Sequence, residues 1–417
     1  SLRAPEVIRE TVTQWSTTTK TVTVTSPTTP TTPTTPTTPT TPTPRKPSEL
    51  TFFFWPGPSA DKIGEKLLPA FNEHYGIKVT MLTTPCKYYN DKITAMVIAG
   101  EKIDVSSVFS ESAFVRWCEA DWLLPIDDIP EAKEYINKMY PWVREIFTYK
   151  GRVYGLPYFA GCLTLVYNKE ILNKAGIDEP PKSWDEFVEQ SLKIKEKGIA
   201  KYPVVWCCGI GKEQLMYSFY YLLSTRGGEM FDEHLNPTFA EPGSVAREAL
   251  DWWVKTFQEW KISDPVSLEL RWCPARRTFG SGKYAFSLLM RYDAVFLQRE
   301  DMHPQTAGKV GIIYPPGTGR TVSYACPWII WKTTRSKYWA WKLVELLGGK
   351  DWNGKWSGPI SMAEAWNLLS GYPEVNELPE VQEKALAPLG DVELQLKMFK
   401  NAVRRSLICR AWRTWWY

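Results

Sequence analysis

The chain is 417 residues long and 44% hydrophobic, with 50 Lys and Arg against 46 Asp and Glu. That length supports two globular domains with separate cores, and the near balance of charge excludes any electrostatic reason to expect nucleic acid or an anionic membrane as partner. No apolar run approaches the ~20 residues that span a bilayer. Ser1, with no hydrophobic signal region after it, is the start expected of a processed, exported chain.

Residues 1–26 read as a β-prone, Thr-rich arm. Between Thr11 and Thr25, threonines and Trp15 share one face of a period-two pattern, and Val12, Val22 and Val24 the other. β-branched residues in that alternation favour a strand. A strand without a partner in its own chain is suited to pairing with a neighbouring copy. Residues 27–48 read as a stalk or linker of Pro-Thr-Thr repeats. Proline lacks an N–H and fixes φ, so the repeat favours extended polyproline II, and Thr and Pro at this density also mark glycosylated surface stalks.

The head begins with Leu50-Thr-Phe-Phe-Phe-Trp55, an apolar run closed by Pro56-Gly57-Pro58, the pattern of a buried strand and a turn. Ser59 opens a helix that carries Ile63, Leu67, Leu68 and Phe71 at helical spacing and stops at Gly76. A strand at Ile77–Met81, a helix from about Tyr89 to Ala99 and a strand at Ile103–Phe109 follow. This alternation predicts a parallel α/β sheet. Ligands of such sheets bind beyond the carboxyl ends of the strands, here Trp55–Pro58 and Phe109–Glu111. Further along, Gly155 and Pro157 stiffen a bend in an extended segment, as a crossover between lobes needs. Ser183 and Glu186 form a capping box for a helix reaching about Lys197. Gly282 ends a helix ahead of the strand-like Tyr284–Met290.

The chemistry-bearing residues point away from catalysis. The eight cysteines (Cys86, Cys118, Cys162, Cys207, Cys208, Cys273, Cys326 and Cys409) show no C-x-x-C spacing, and His74, His234 and His303 are scattered. No metal or other cofactor is expected from that pattern. In an exported chain the even count permits up to four disulfides, and buried free thiols are the alternative. Gly209-Ile-Gly-Lys212 lacks the spacing of a phosphate loop, and no G-x-S-x-G, H-E-x-x-H or G-x-G-x-x-G motif is present. Asp127 and Asp128 follow Pro125 in what reads as a solvated turn rather than a glycosidase pair. The chain reads as a non-enzyme.

A run of motifs carries a family resemblance. Tyr149-Lys-Gly-Arg-Val-Tyr-Gly-Leu-Pro-Tyr-Phe159 is followed by Tyr167-Asn-Lys, by Ala175-Gly and by Pro180-Pro-Lys-Ser-Trp-Asp-Glu-Phe187. Ala99–Asp104, Ala120–Asp127, Phe279–Phe286 and Val310–Gly317 fit the same order. Together they resemble the ABC-transporter family 1 extracellular solute-binding proteins, whose sugar-binding members include the maltose-binding type. The match spans roughly residues 50 to 350. It departs in the Thr/Pro arm, the many cysteines and the aromatic C-terminus, Trp412–Tyr417.

The resemblance implies an α/β, two-lobed, periplasmic-binding-protein-like fold of type II, with parallel-sheet lobes joined by a hinge. Lobe 1 is placed at 49–157 plus about 284–330, and lobe 2 at 158–283 plus about 331–417. The implied function is capture of a sugar or oligosaccharide between the lobes, outside the cell, for the membrane subunits and ATPase of an ABC importer. Sugars offer apolar ring faces and polar edges. The candidate contacts at strand ends and crossovers are therefore the aromatic residues Trp55, Tyr158, Trp206, Tyr292, Tyr324 and Trp328, with the polar residues Ser110, Glu111, Arg291 and Asp293. A second function is open to the arm: an extracellular filament of this fold, built by donating residues 11–25 to a neighbouring subunit.

Overall fold

The computed structural model describes residues 44–403, apart from 211, 212, 233, 235 and 240. The arm, most of the Thr/Pro stalk and the aromatic C-terminus lie outside the described residues, and so does the expected strand at 11–25 with its pairing to another copy.

The apolar run after the stalk forms β1 (Glu49–Phe54). Pro56 and Pro58 cannot continue it, and Pro58 instead starts a helical stretch that runs to Tyr75. Gly76, at φ 62°, ends that helix in the left-handed conformation. β2 (Lys78–Thr83) and β3 (Val105–Ser107) both lie parallel to β1. Period-two alternation sends Leu50, Phe52 and Phe54 into one core and Phe53 into another, beside Tyr89, Ile93 and Trp117. This part of the sheet is covered on both faces, as parallel strands require.

A short hairpin of β4 (Thr148–Tyr149) and β5 (Arg152–Val153) leads into β6 (Gly155–Asn168), a strand of 14 residues. Its first part pairs antiparallel with β10 (Thr321–Ile330), and its second part with β8 (Phe286–Met290) and β9 (Val310–Ile313). β7 (Val204–Val205) runs parallel to β8, and β11 (Ala402–Val403) parallel to β10. The order β2-β1-β3-β10-β6-β8-β7 makes one continuous sheet; the core around Leu50, Phe52 and Phe54 (the first) and the one around Phe53 belong to one lobe, and a further core, around Leu163, Leu165 and Phe286 (the second), to the other. On β6 the change of core falls between Cys162 and Leu163, and on β10 between Tyr324 and Ala325. Both long strands therefore pass from one lobe to the other at the same level. The bend expected at Gly155 and Pro157 is the beginning of this crossing strand. A Cβ on Gly155 would lie 2.2 Å from the Trp328 carbonyl oxygen, so β10 comes this close only to a glycine.

The capping motif also takes a defined form. The Ser183 hydroxyl accepts the Glu186 N–H at 3.1 Å and opens the helix Trp184–Glu196. The Glu186 carboxylate reaches back one residue further than a capping box does, accepting the Lys182 N–H at 2.8 Å.

The sequence-based boundaries place about 284–330 in lobe 1 and about 331–417 in lobe 2. The cores run partly across those boundaries: Phe286, Leu288 and Val310 pack in the second core and Trp339, Trp341, Ile360 and Tyr372 in the first, while Ala325, Trp328 and Ile330 keep to the first and Leu389 and Met398 to the second. Strand character at 284–290 does not say which half of β6 the strand joins, and β8 joins the second half. The disulfides that the even cysteine count permits are not formed among the described residues. The seven described cysteines are all free thiols, four of them (Cys118, Cys162, Cys207 and Cys208) buried. Among the described residues no helix is long and apolar enough to cross a membrane.

Candidate functional site

Where the two cores meet above β6 and β10, the surface opens into a cavity of about 380 Å³, within the range of small-molecule sites. One wall comes from the carboxyl ends of the parallel strands: Trp55 after β1, Cys86 after β2, and Phe109, Ser110 and Glu111 after β3. The floor is Tyr158 and Phe159 of β6 with Tyr324 and Cys326 of β10, at the level where both strands change core. The opposite wall comes from the second core. Glu213 and Tyr217 stand on the helix Glu213–Thr225, Trp272 and Cys273 start the helix Trp272–Phe279, and Tyr292 follows β8. Trp366 and Leu368 close one end.

The rings hold one another edge to face. Trp55 meets Phe109 at 5.4 Å and Tyr158 at 5.5 Å between centroids, Phe159 meets Tyr324 at 5.8 Å, and Tyr217 meets Trp272 at 5.6 Å. Such contacts fix ring orientation before any ligand arrives, so little side-chain entropy remains to be lost on binding. Tyr158 donates to the Ser59 hydroxyl at 2.9 Å, and burial raises its pKa against the lowering effect of that bond, keeping it neutral. Ser110 caps the helix Glu111–Glu119 by accepting the Ala113 N–H at 3.3 Å, and its hydroxyl also accepts from the Asn90 amide at 3.0 Å. Glu111 and Glu213 each occupy the first turn of their helix, where the backbone dipole favours a carboxylate. Burial, and then Glu111 and Glu213, push the Cys326 thiol up and disfavour its thiolate. The groups present can stack on apolar faces and accept hydrogen bonds from hydroxyls. Among the described residues no group of His, Cys, Asp or Glu is placed to hold a metal ion.

The model of the bacterial extracellular solute-binding protein family matches residues 57–354. The chain belongs to that family. A binding protein of Brucella abortus is 25% identical over 313 residues, 72% of this chain and 73% of the relative. The mannitol-binding protein of Pseudomonas aeruginosa is 25% identical over 168 residues, 40% of this chain and 38% of the relative. Among solved structures, maltose-bound T. maritima MalE3 superposes with a TM-score of 0.70 at 24% identity, covering 88% of this chain and 91% of that one. A solute-binding protein from Thermotoga lettingae with bound α-D-tagatose gives 0.69 at 24% identity, with the same coverage. The two-lobed periplasmic-binding-protein fold expected from the sequence is the fold of these structures. Proteins of this family bind solutes rather than transform them.

In this solute-binding protein, six of the ten residues proposed from sequence line the cavity together: Trp55, Ser110, Glu111, Tyr158, Tyr292 and Tyr324. The other four lie away from it. Trp206 is fully buried in the second core and donates to Ser263 at 2.8 Å. Trp328 is fully buried in the first core against Phe52 and Phe54. Simple alternation would place Trp328 on the same face as Tyr324, but a register shift between Cys326 and Pro327 breaks the pattern. Arg291 is buried and donates to the carbonyls of Ala385 and Asn367 and, at 3.4 Å, to the Gln395 side chain. Asp293 accepts from Arg276 at 2.7 Å, yet burial outweighs that partner and raises its pKa to about 6.

Residues that sequence reasoning missed include Cys86, Glu213, Trp272, Cys273 and Trp366. They come from helix starts and from a distant C-terminal segment, positions with no local mark in the sequence. Phe109 had such a mark, since it stands at a strand end already flagged as ligand-facing.

Proposed function

We propose that this protein is a receptor that captures a sugar or oligosaccharide between its lobes outside the membrane and hands it to the membrane subunits and ATPase of an ABC importer. The observation that carries this reading is the cavity between the two cores, which combines edge-packed rings with carboxylates at helix N-termini. The rings suit the C–H faces of a sugar. Glu111, Glu213 and Ser110 suit its hydroxyl edges. Trp55, Tyr158, Tyr292 and Tyr324 are the aromatic contacts, while Trp206, Arg291, Asp293 and Trp328 support the walls from behind.

β6 and β10, which change core at one level, act as the hinge. Rotation about them closes one wall onto the other, the hinge closure known for two-lobed binding proteins. Affinity then comes from burying both faces of the solute at once. The relative named for mannitol and the structural neighbours with bound maltose and tagatose support a carbohydrate as the solute. No cofactor takes part. The decisive experiment is a thermal-shift screen of neutral sugars and polyols on the purified chain, followed by titration calorimetry of any hit. One solute should bind with 1:1 stoichiometry. No stabilisation by any carbohydrate in the screen would overturn the reading.

A further inference from the structure

The seven described cysteines fall into two groups. Cys118, Cys162, Cys207 and Cys208 are buried, whereas Cys86, Cys273 and Cys326 retain exposure. All three of the accessible thiols line the same interlobe cavity. Cys86 begins the turn Cys86–Tyr88 after β2, on the first lobe's wall. Cys273 is the second residue of the helix Trp272–Phe279, which is anchored in the second core by Trp272, Ala275 and Phe279. Cys326 lies on β10, the strand that both lobes share.

We propose that Cys86 and Cys273 form a redox latch, a disulfide that ties the two lobes together over the cavity. Cys326 is the less suitable partner for either thiol, because it stands on a strand that both lobes share, and a bond to it would leave one wall free to swing. Cys86 and Cys273 belong to opposite walls and to different cores, so a bond between them spans the opening. A disulfide requires Cα atoms about 4.4–6.8 Å apart, a separation that closure about β6 and β10 sets. The bond is therefore open to the closed receptor and records that state. Cys273 is near enough to act on Cys86: burial raises the Cys86 pKa, a backbone hydrogen bond lowers it, and Cys273 adds a smaller upward push.

The chemistry balances through thiol–disulfide exchange with a small-molecule disulfide. Cys273, the exposed thiol, attacks as its thiolate and displaces one small thiolate, leaving a mixed disulfide on its sulfur. The Cys86 thiolate then attacks the Cys273 sulfur and displaces the second small thiolate. Two protein thiols are oxidised, one small disulfide is reduced to two thiols, and the two protons end on the departing thiols. Excess small thiol reverses both steps. In an exported receptor the latch holds captured solute while the surroundings are oxidising and releases it on reduction.

The test needs no knowledge of the solute, so it can fail while the receptor reading stands. The full chain is equilibrated with oxidised glutathione, and its cysteines are mapped by mass spectrometry without reduction. A peptide pair joining Cys86 to Cys273 is expected. Labelling of Cys326 by a bulky maleimide should slow by about tenfold on oxidation, as expected when the open state becomes a minor population, and recover with dithiothreitol. Cys86→Ser and Cys273→Ser should each abolish the slowing. Persistence of both thiols as free or merely glutathionylated would overturn the proposal. So would a different cysteine pairing, or a Cys86–Cys273 bond that leaves Cys326 labelling unchanged. The mapping on the unaltered chain decides even if a serine variant folds poorly.

Discussion

Gly161 of β6 lies directly beneath the ring of Tyr324 of β10. The two are paired across the ladder, and a Cβ on Gly161 would approach the ring carbons to 2.4 Å. The glycine thus sets where a floor aromatic of the cavity sits. Gly161→Ala should push the Tyr324 ring off its seat, costing about 1–3 kcal/mol of stability by overpacking and weakening solute binding at the same time. Urea denaturation and calorimetry on one preparation check both effects.

Phe109 gives the complementary case. It is 40% exposed and rests edge to face on Trp55 at the cavity mouth. Because little of its surface supports a core, Phe109→Ala should leave the melting temperature nearly unchanged. Affinity should fall by about tenfold, the cost of losing one aromatic contact at a binding surface. A large drop in melting temperature would instead mark Phe109 as structural.

Arg291 should show the opposite pattern. Its guanidinium is buried and satisfies two backbone carbonyls and the Gln395 side chain from the C-terminal part of the first lobe. Arg291→Met would leave those acceptors buried without a donor. The expected loss is about 1–3 kcal/mol, the penalty for buried acceptors left unsatisfied. Denaturant midpoints measure it.

Asp293 carries a pH signature. Its ordinary pKa of 3.8 is raised by burial to about 6 in the folded chain, against the pull of Arg276. Between those values the unfolded chain loses this proton while the folded chain keeps it, so the stability contribution falls as pH rises from about 4 to about 6, then levels. The size of the fall is on the order of 3 kcal/mol. Asp293→Asn leaves Arg276 without its anion and lowers stability overall, but it should remove this component of the pH dependence. Unfolding curves of both proteins from pH 4 to pH 7 separate the slope from the offset.

Much of the fold is legible in the sequence because its signals are local. The run Leu50–Phe54, the stop at Gly76 and the cap at Ser183 each depend on a few neighbouring residues, and the structure uses all three. The motif order from Tyr149 to Gly317 gave the family for the same reason. What stayed hidden depends on tertiary pairing. Nothing near Phe286–Met290 reveals that β8 joins the second half of β6, so the expected boundary does not follow the cores there. The register shift before Pro327 turns Trp328 into the first core. Glu213, Trp272 and Trp366 reach the cavity only because their helices pack there.

The central claim is that the solute is held between the two walls, and titration calorimetry of the screened sugar against the unaltered chain, Trp55→Ala and Trp272→Ala tests it most directly. Trp55 belongs to one wall and Trp272 to the other. Binding at 1:1 that weakens by about 30-fold or more in each variant, as for the loss of an aromatic anchor, is the predicted result. Undiminished binding in either correctly folded variant would contradict capture between the lobes.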